Sequence, residues 1–275
     1  MHDIILGYNM KKDYLLFRDN IFKYYYLFFI VLFIINFSTA YAYEKLIPFQ
    51  PGEKLTYKLK WNFIPAGYAV LEVCPFGKID NQKAYHFKLQ ARTNAFVDTI
   101  YKVRDEINSY CDQYITHSVS YRKKIHEGRT KRDIVLFFDW LNEKVIYSNF
   151  NKKLEPVSIY PGTFDPLSAF FYFRCINFDN NKSFIAPVTD GKKCILGKAL
   201  IIKKEKIKVS AGKFETFLVE PEIKHIKGVF EKSKNAKIQI WITSDHRRIP
   251  VLFRSKVIVG SFYAELISIE NNDKK

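Results

Sequence analysis

Residues 164–174 read Phe-Asp-Pro-Leu-Ser-Ala-Phe-Phe-Tyr-Phe-Arg, and this stretch decides the fold. We predict a helix over about residues 165–174, since Asp165 is a favourable N-cap, Pro166 suits the first helical position, and Arg174 stands near the negative end of the helix dipole. Apolar side chains occupy every side of such a helix, which therefore has no polar face for water. The rest of the chain must surround it.

The sequence on both sides of this helix reads as strands. Leu55, Tyr57, Leu59 and Trp61 alternate with polar residues, as in a strand with one buried face. Comparable segments separated by turns recur as far as residue 270, at spacings of about 8–12 residues. Such a series favours an antiparallel sheet, because parallel strands need repeated crossover helices. We therefore predict a mostly β fold, in which a curved antiparallel sheet, barrel-like or sandwich, closes around one short buried helix.

The N-terminal residues 1–42 have the features of a signal peptide. Four basic residues precede an apolar run, residues 24–37, and Ala40-Tyr41-Ala42 has the small-x-small pattern of a cleavage site. We predict cleavage after Ala42, export to the periplasm, and one β-rich domain over residues 43–275. The apolar run has 14 residues, fewer than the roughly 20 of a membrane-spanning helix. An uncleaved N-terminal anchor is the alternative.

The chain is strongly basic, with 44 Lys and Arg against 28 Asp and Glu and a formal net charge of +16. In an exported protein this charge favours anionic partners such as lipid headgroups or phosphorylated glycans, whereas we expect no nucleic acid partner. Basic residues crowd the turn of a predicted hairpin over residues 116–139. We predict that an anionic-partner surface is formed by Arg122, Lys123, Lys124, Arg129, Lys131 and Arg132. The alternative is a solvated tip that protects a sheet edge from aggregation.

Aromatic residues make up 17% of the chain, which has 25 Phe and 18 Tyr. A concave sheet around an apolar helix can enclose a cavity for one ligand, although the same side chains can also fill that space. The side chains that we expect to line a cavity are Tyr57, Leu59, Trp61, Phe170, Phe171, Tyr172 and Trp241. Arg247 and Arg248 offer a fork for a carboxylate or phosphate. The alternative is that Asp245 accepts backbone N–H bonds within its own turn, while an arginine pairs with it or with Glu220.

Cysteine and histidine give few indications of chemistry. Four cysteines allow two disulfides; if one bridge forms we expect Cys175 with Cys194, and the alternative is isolated buried thiols. No cysteine pair has CxxC spacing, the histidines form no HxH or HxxxH pair, and there is no GxSxG motif. We predict no metal, no cofactor and no catalytic residues; carboxylates that converge only in the fold leave no such local pattern.

Four segments occur together in an order that resembles a known family. They are Pro51-Gly52-Glu53-Lys54-Leu55-Thr56-Tyr57, Asp165-Pro166-Leu167-Ser168 with Arg174, Ala211-Gly212-Lys213-Phe214-Glu215-Thr216, and Trp241-Ile242-Thr243-Ser244-Asp245-His246-Arg247-Arg248-Ile249-Pro250-Val251. Over residues 47–270 the chain resembles the bacterial exported family catalogued as domain of unknown function 3108. The resemblance implies a β-rich envelope protein and supplies no catalytic residues.

Export, charge and aromatic content together lead to a prediction of function. We predict a non-catalytic periplasmic protein that binds or carries a lipid or an envelope glycan, with peripheral membrane contact or an envelope protein as a partner. One alternative is a scaffold that belongs to an envelope assembly and has a solid core. The other is a hydrolase of an envelope polymer, which requires acids that converge in an open cleft.

Overall fold

The computed structural model describes residues 47–179, 181–222, 237–257 and 260–271. The signal peptide, its cleavage after Ala42 and the alternative anchor lie outside these described residues and stay predictions. All the elements given below belong to the unit that begins at Leu46.

Fifteen strands account for most of the described residues. They are β1 (Lys54–Trp61), β2 (Ile64–Ile79), β3 (Gln82–Thr93), β4 (Arg104–Asp112), β5 (Ser118–Glu127), β6 (Thr130–Asp139), β7 (Lys144–Asn149), β8 (Lys152–Lys153), β9 (Val157–Ser158), β10 (Ser183–Thr189), β11 (Cys194–Val209), β12 (Gly212–Pro221), β13 (Lys237–Thr243), β14 (Pro250–Val257) and β15 (Gly260–Glu270). Residues 194–209 form the single long strand β11, with a register shift after Ile201 that marks a bulge.

The strands form one antiparallel sheet in the order β10-β11-β12-β13-β14-β15-β1-β2-β3-β4-β5-β6-β7-β8, and β9 also pairs with β7. Pairing of β1 with β15 joins the two ends of the domain, at a register that sets Leu55 beside Ile269. The sheet is curved but not closed, because β10 forms one edge and β8 and β9 form the other. The prediction of a mostly β, antiparallel fold with one short buried helix is confirmed.

In the described part of the chain two helices accompany the sheet, α1 (Ala95–Asp98) and α2 (Pro166–Arg174). The predicted helix is α2, and the Asp165 carboxylate caps it by accepting hydrogen bonds from the backbone N–H groups of Leu167 and Ser168 at 2.8 and 3.0 Å. In the part of the chain that the structure describes, no helix has the length and apolar character needed to cross a membrane.

The segment before α2 bridges the gap between the two arms of the sheet, β5–β7 and β10–β13. The carbonyl of Thr163 accepts a hydrogen bond from the Ser118 N–H at 3.1 Å. The Phe164 N–H donates to the carbonyl of Pro187 at 3.0 Å, and its carbonyl accepts from the Thr189 N–H at 2.9 Å. This bridge fixes the point at which α2 enters the curved sheet.

One side of α2 packs into the main core. Phe171 stacks on Phe87, with 3.8 Å between ring centroids, and meets Phe49 edge-on at 5.0 Å. All three side chains are at most 3% exposed. Edge-on aromatic pairs such as Phe171 with Phe49 add to the stability that burial supplies. On this side the helix is surrounded, as its apolar sequence requires.

Candidate functional site

The other side of α2 faces a cavity of about 790 Å³ between the two arms of the sheet. Helix α2 contributes Ala169, Phe170 and Phe173 to its wall, and further apolar side chains come from β6, β7 and β10–β13. The contribution of β10 is Phe184, Ala186 and Val188. These alternate residues share one face of the strand, which places its apolar side toward the cavity. The wall is therefore suited to an apolar ligand.

Cationic side chains border the cavity. Five of them, from β5, β6, the β10–β11 turn and β11, are Lys123, Arg132, Lys192, Lys193 and Lys198. The Lys192 ammonium lies 4.7 Å from the centroid of the Tyr147 ring, a cation–π contact across the gap between the arms. An anionic group at this border would meet positive charge at the edge of an apolar space.

Two acids also lie on the border, and each is already engaged. Asp190 Oδ1 accepts hydrogen bonds from the backbone N–H groups of Lys192 and Lys193 at 2.9 and 3.1 Å. Glu222 Oε1 lies 3.5 Å from Lys198 Nζ. The acids therefore offset only part of the positive charge of the border.

The predicted basic hairpin is divided between the two faces of the sheet. Lys123 pairs in register with the buried Ile134, and both line the cavity. Arg122 points away and forms a bidentate ion pair with Asp133 at 2.8 and 2.6 Å, whose hydrogen bonds hold the pKa of Asp133 below its usual value. Among the six predicted residues, those that line the cavity are Lys123 and Arg132. Lys124, Arg129 and Lys131 are exposed, and an anionic partner for them stays a prediction.

A carboxyl pair lies close to these two cations. Burial, together with a hydrogen bond and charge repulsion from Asp105, raises the pKa of Glu127, while Lys123 and Arg132 act to lower it. The backbone N–H of His126 donates to Asp105 Oδ1 at 3.0 Å. The net charge near the border therefore depends on pH through Glu127.

The structure places the predicted ligand residues in different environments. Phe170 lines the cavity as expected. Phe171 belongs to the solid core, and Tyr172 packs between Phe164 and Phe184 at ring-centroid distances of 4.6 and 5.4 Å. We correct the prediction for Phe171, because its side of the helix faces β3 rather than the cavity.

Residues Tyr57, Trp61 and Trp241 do not line the cavity. The Tyr57 hydroxyl, buried in the core, donates to the carbonyl of Pro250 at 2.8 Å, and burial raises the pKa of this phenol. Trp61 is 43% exposed and stacks on Phe262. Leu59 packs at the margin of the core. Tyr57, Leu59 and Trp61 alternate as expected for a strand, but the cavity lies against strands other than β1.

Trp241 lies on the outer face of β13. Its cross-strand partners are Leu218 and Leu252, whereas the neighbouring Ile240 lines the cavity. The Trp241 indole N–H donates to Glu205 Oε1 at 2.9 Å. The β11–β12 hairpin thus covers Trp241 from outside, and our expectation of a cavity residue is wrong by one position of the strand alternation.

Arg174 has a different role from the one its position in the helix predicts. Its guanidinium is fully buried and donates to both carboxylate oxygens of Glu53 at 2.6 and 3.0 Å. It also donates to the carbonyls of Arg248 and Arg247 at 2.9 and 3.1 Å. The guanidinium carbon lies 4.9 Å from the centroid of the Phe49 ring. Arg174 therefore joins the end of α2 to the start of β1 and to the β13–β14 turn.

The fork predicted from Arg247 and Arg248 is not directed at the cavity. Arg247 pairs with Asp245 at 3.0 and 2.7 Å within the turn, which is the alternative that we gave. Arg248 donates to the carbonyl of Ser244 at 2.9 Å, and its guanidinium lies over the Phe178 ring. Both arginines therefore support the turn whose carbonyls hold Arg174.

The N-terminal end of α2 is held by hydroxyl groups. Asp165 Oδ2 accepts hydrogen bonds from Ser109 and Ser118 at 2.7 and 2.6 Å, in addition to the two backbone N–H groups of the helix. Burial raises the pKa of Asp165, and these hydrogen bonds act in the opposite direction. Asp165 is thus both a helix cap and a link between α2 and strands β4 and β5.

The predicted Cys175–Cys194 disulfide is not formed in the structure, where both side chains are thiols. Cys175 Sγ donates to the carbonyl of Phe171 at 3.6 Å, within the last turn of α2. Cys194 Sγ lies 3.5 Å from Thr163 Oγ1. The two side chains are therefore held at separate places as thiols, and both are partly buried rather than fully buried as the alternative expected.

The cations of the β10–β11 turn were missed by sequence reasoning. Lys192 and Lys193 follow a recognisable Asp190-Gly191 turn, but nothing local indicates that this turn reaches β6 and β7. The lack of a side chain at Gly191 allows the turn to approach β6 and β7, because a Cβ there would overlap Leu136 Cδ2 and lie 3.1 Å from Tyr147 Cβ. A close approach of this kind depends on the whole sheet.

Comparisons with known proteins give a family and a fold. The family described as Protein of unknown function (DUF3108) matches residues 56–267. No curated protein matches the chain. Among solved structures, it is similar to a β-barrel-like protein of domain of unknown function DUF1849 from Brucella abortus, with a TM-score of 0.53, 11% identity, and coverage of 81% of this chain and 98% of that chain. This likeness supports the barrel-like fold.

Two further similar structures are more distant. A Bacteroides fragilis protein described as exported, with a YmcC-like fold, has a TM-score of 0.36 and 8% identity, over 82% of this chain and 98% of that chain. A Parabacteroides distasonis protein described as a lipoprotein has a TM-score of 0.32 and 14% identity, over 82% and 97%.

Proposed function

The chain belongs to the DUF3108 family of proteins of unknown function, and we propose that this member binds, without catalysis, a single-chain amphiphile with an anionic headgroup. The observation that carries the proposal is the cavity of about 790 Å³, with its apolar wall and cationic border. Ligand pockets have volumes of about 300–1,000 Å³. An acyl chain would lie against the wall, and a carboxylate or phosphate would meet the lysines of the border.

The cavity wall favours a lipid over the glycan that the sequence left open. Phe170, Phe184 and Val188 offer no hydrogen bonds through their side chains. Sugar hydroxyls placed against them would lose hydrogen bonds to water without replacement, at a cost of about 1–3 kcal/mol for each unsatisfied group. A fatty acid or a lysophospholipid has no such groups along its chain.

The border acids support binding rather than hydrolysis. Asp190 accepts hydrogen bonds from its own turn, and Glu222 pairs with Lys198. General acid–base work needs carboxyl groups directed at the substrate. In the proposed complex these acids instead position the lysines that meet the headgroup. The predicted signal peptide would place this binding in the periplasm, where membranes supply such amphiphiles.

Mass spectrometry of the protein purified natively from its own cell envelope, after extraction with organic solvent, tests the proposal. We expect a reproducible amphiphile at close to one molecule per chain. An empty extract, together with no binding of added oleate or lysophosphatidic acid, would contradict the proposal. Co-purification of one stoichiometric protein without any lipid would favour the scaffold alternative instead.

A pair of variants locates the bound molecule. Ala199→Phe adds a ring to the cavity wall, and we expect the amount of co-purified amphiphile to fall at least about tenfold, since the wall and the chain compete for one space. Leu196→Phe is the matched control on the same strand, at a side chain that is 58% exposed and does not line the cavity. Equal retention by both variants would place the ligand elsewhere.

A further inference from the structure

One end of the sheet exposes a group of large apolar side chains, carried by the β1–β2 turn and the β3–β4 connection. They are Trp61, Phe63, Ile64, Phe96, Ile100 and Tyr101, and we call them the tip surface. Phe63 is 96% exposed and Ile100 is 77% exposed. Large contiguous apolar patches on a protein surface mark sites of interaction.

Hydrogen bonds hold these connections side by side. The Asn94 side chain donates to the carbonyl of Pro65 at 2.7 Å, and the Asn94 N–H donates to the carbonyl of Ala66 at 2.9 Å. The Gly128 N–H, in the β5–β6 turn, donates to the carbonyl of Lys102 at 2.8 Å. The tip surface and the β5–β6 turn are therefore one continuous end of the sheet.

Polar contacts hold the apolar side chains outward. No residue of α1 is buried, and the Asn94 side chain caps this short helix by accepting from the Val97 N–H at 2.9 Å. Arg104 donates to Asp98 at 3.0 Å, and these hydrogen bonds lower the pKa of Asp98. Phe96 is therefore held at the surface by a hydrogen-bonded turn of helix and does not belong to a core.

Positive charge accompanies the tip surface. Lys102, Arg129 and Lys131 are exposed on the β3–β4 connection and the adjacent β5–β6 hairpin. Aromatic side chains favour the membrane–water interface, and each basic residue near an anionic membrane contributes about 1 kcal/mol of attraction. This combination of apolar, aromatic and cationic side chains matches the chemistry of an anionic bilayer surface.

We propose that the tip surface docks on an anionic lipid bilayer, with Phe63, Ile64 and Phe96 entering the interface and the neighbouring cations meeting the headgroups. The inference goes beyond ligand binding and does not depend on an occupied cavity. It also connects the two, because Lys123 and Arg132 border the cavity from the same β5–β6 hairpin. A docked protein would hold that border close to the membrane surface.

Quenching of Trp61 by brominated lipids tests the docking. The full chain has three tryptophans, and of the other two, Trp241 is buried and the Trp140 indole N–H donates to the Ser118 carbonyl within the fold. With vesicles of phosphatidylglycerol and phosphatidylcholine in equal parts, we expect bromination of the acyl chains to quench the emission that Trp61→Phe removes. Unchanged Trp61 emission in brominated vesicles would overturn the proposal.

Matched variants of the full chain measure the contribution of the tip. We expect Phe63→Ser to weaken partition into these vesicles by about tenfold, since burial of a Phe side chain has that order of effect. Leu141→Ser is the control, at a side chain that is 93% exposed on the β6–β7 turn at the other end of β6. Its partition should equal that of the unmodified chain. Equal losses from both variants, or none from either, would overturn the docking.

Lipid charge separates the two parts of the docking. Vesicles of phosphatidylcholine alone should bind at least tenfold more weakly than vesicles with phosphatidylglycerol, and added salt should remove the difference. Equal binding to both would overturn the role of the cations. A stoichiometric protein captured on the tip surface, with no vesicle binding, would replace the bilayer by a protein partner and overturn the proposal.

Discussion

The two sides of α2 differ in what they face. On one side Phe171 stacks on Phe87 in a solid core, and on the other Phe170 borders a cavity of about 790 Å³. Protein interiors are close-packed, and voids much larger than a water molecule are few. A large space beside a well-packed helix is therefore a feature of the site rather than of a poorly formed core.

The contacts at the two ends of α2 explain how one helix can pack into a core on one side and border a cavity on the other. Asp165 ties the first turn to Ser109 and Ser118, and Arg174 ties the last turn to Glu53. With both ends held by buried polar contacts, the helix does not need apolar packing all around to keep its position. The polar groups that anchor α2 therefore lie at its two ends, apart from the side chains that border the cavity.

The largest expected effect comes from loss of the anchor at Arg174. Arg174→Met leaves the Glu53 carboxylate buried without its partner, and we expect the free energy of unfolding to fall by about 3–5 kcal/mol. Arg122→Met, which breaks the half-exposed pair with Asp133, should cost no more than about 1 kcal/mol. Chemical denaturation measures both. Similar losses from the two variants would show that α2 is not anchored by this ion pair.

The double variant Glu53→Met with Arg174→Met sharpens this test. Because it leaves no unpaired buried charge, we expect it to be more stable than Arg174→Met alone. A double variant as unstable as the sum of the two single ones would instead mean that the two residues act independently.

The second prediction compares the two sides of α2 directly. Phe171→Ala should cost about 3–5 kcal/mol of unfolding free energy, as for a buried aromatic in a packed core. Phe170→Ala should cost clearly less, because one side of that ring already borders empty space. Thermal or chemical denaturation of the two variants measures both losses of unfolding free energy. Equal costs would mean that the cavity side is as tightly packed as the core side.

The third prediction concerns the turn that completes the cavity. Gly191 has φ of 83°, and a Cβ there would overlap Leu136, so Gly191→Ala should destabilise the fold by about 1–3 kcal/mol. Gly162→Ala is the matched control, with φ of 72° but 3.4 Å between the added Cβ and the Thr116 carbonyl. We expect Gly162→Ala to lower the free energy of unfolding by less, since it adds backbone strain without a steric overlap. The opposite order would show that the turn is not seated on β6.

The smallest expected effect depends on pH. The folded-state pKa of Glu127 is raised, so above that pKa the folded protein holds a disfavoured carboxylate, and Glu127→Gln should there be slightly more stable than the unmodified chain. As the pH falls through the raised pKa, the folded protein protonates first and the advantage of the variant disappears. Unfolding measured from pH 8 to pH 4 tests this. A difference that does not change with pH would remove Glu127 as its cause.

Local patterns predicted the strands and α2, because alternation and helix capping act over a few residues. The same alternation, applied to β5, places Lys123 and Arg122 on opposite faces of the sheet. Our prediction of one anionic-partner surface grouped these basic residues by their distance from the turn and so did not distinguish the two faces. The Arg174–Glu53 pair joins residues 121 positions apart, and no local pattern indicates it. Whether a concave sheet encloses a cavity also depends on contacts between residues that are far apart in sequence. The apolar helix indicated Phe170 as a wall residue, whereas nothing local indicated that Lys192 would reach the cavity.

Within the described residues, the arms of the sheet meet across the cavity through the bridge at Phe164 and the seated Gly191 turn, and not through a continuous ladder. Elsewhere around the barrel each strand is tied to its neighbours by backbone hydrogen bonds. We therefore expect the wall to be more compliant at this seam than around the rest of its circumference. We expect the internal volume to adjust to chains of different length, so that selectivity rests on the headgroup rather than on the length of the tail.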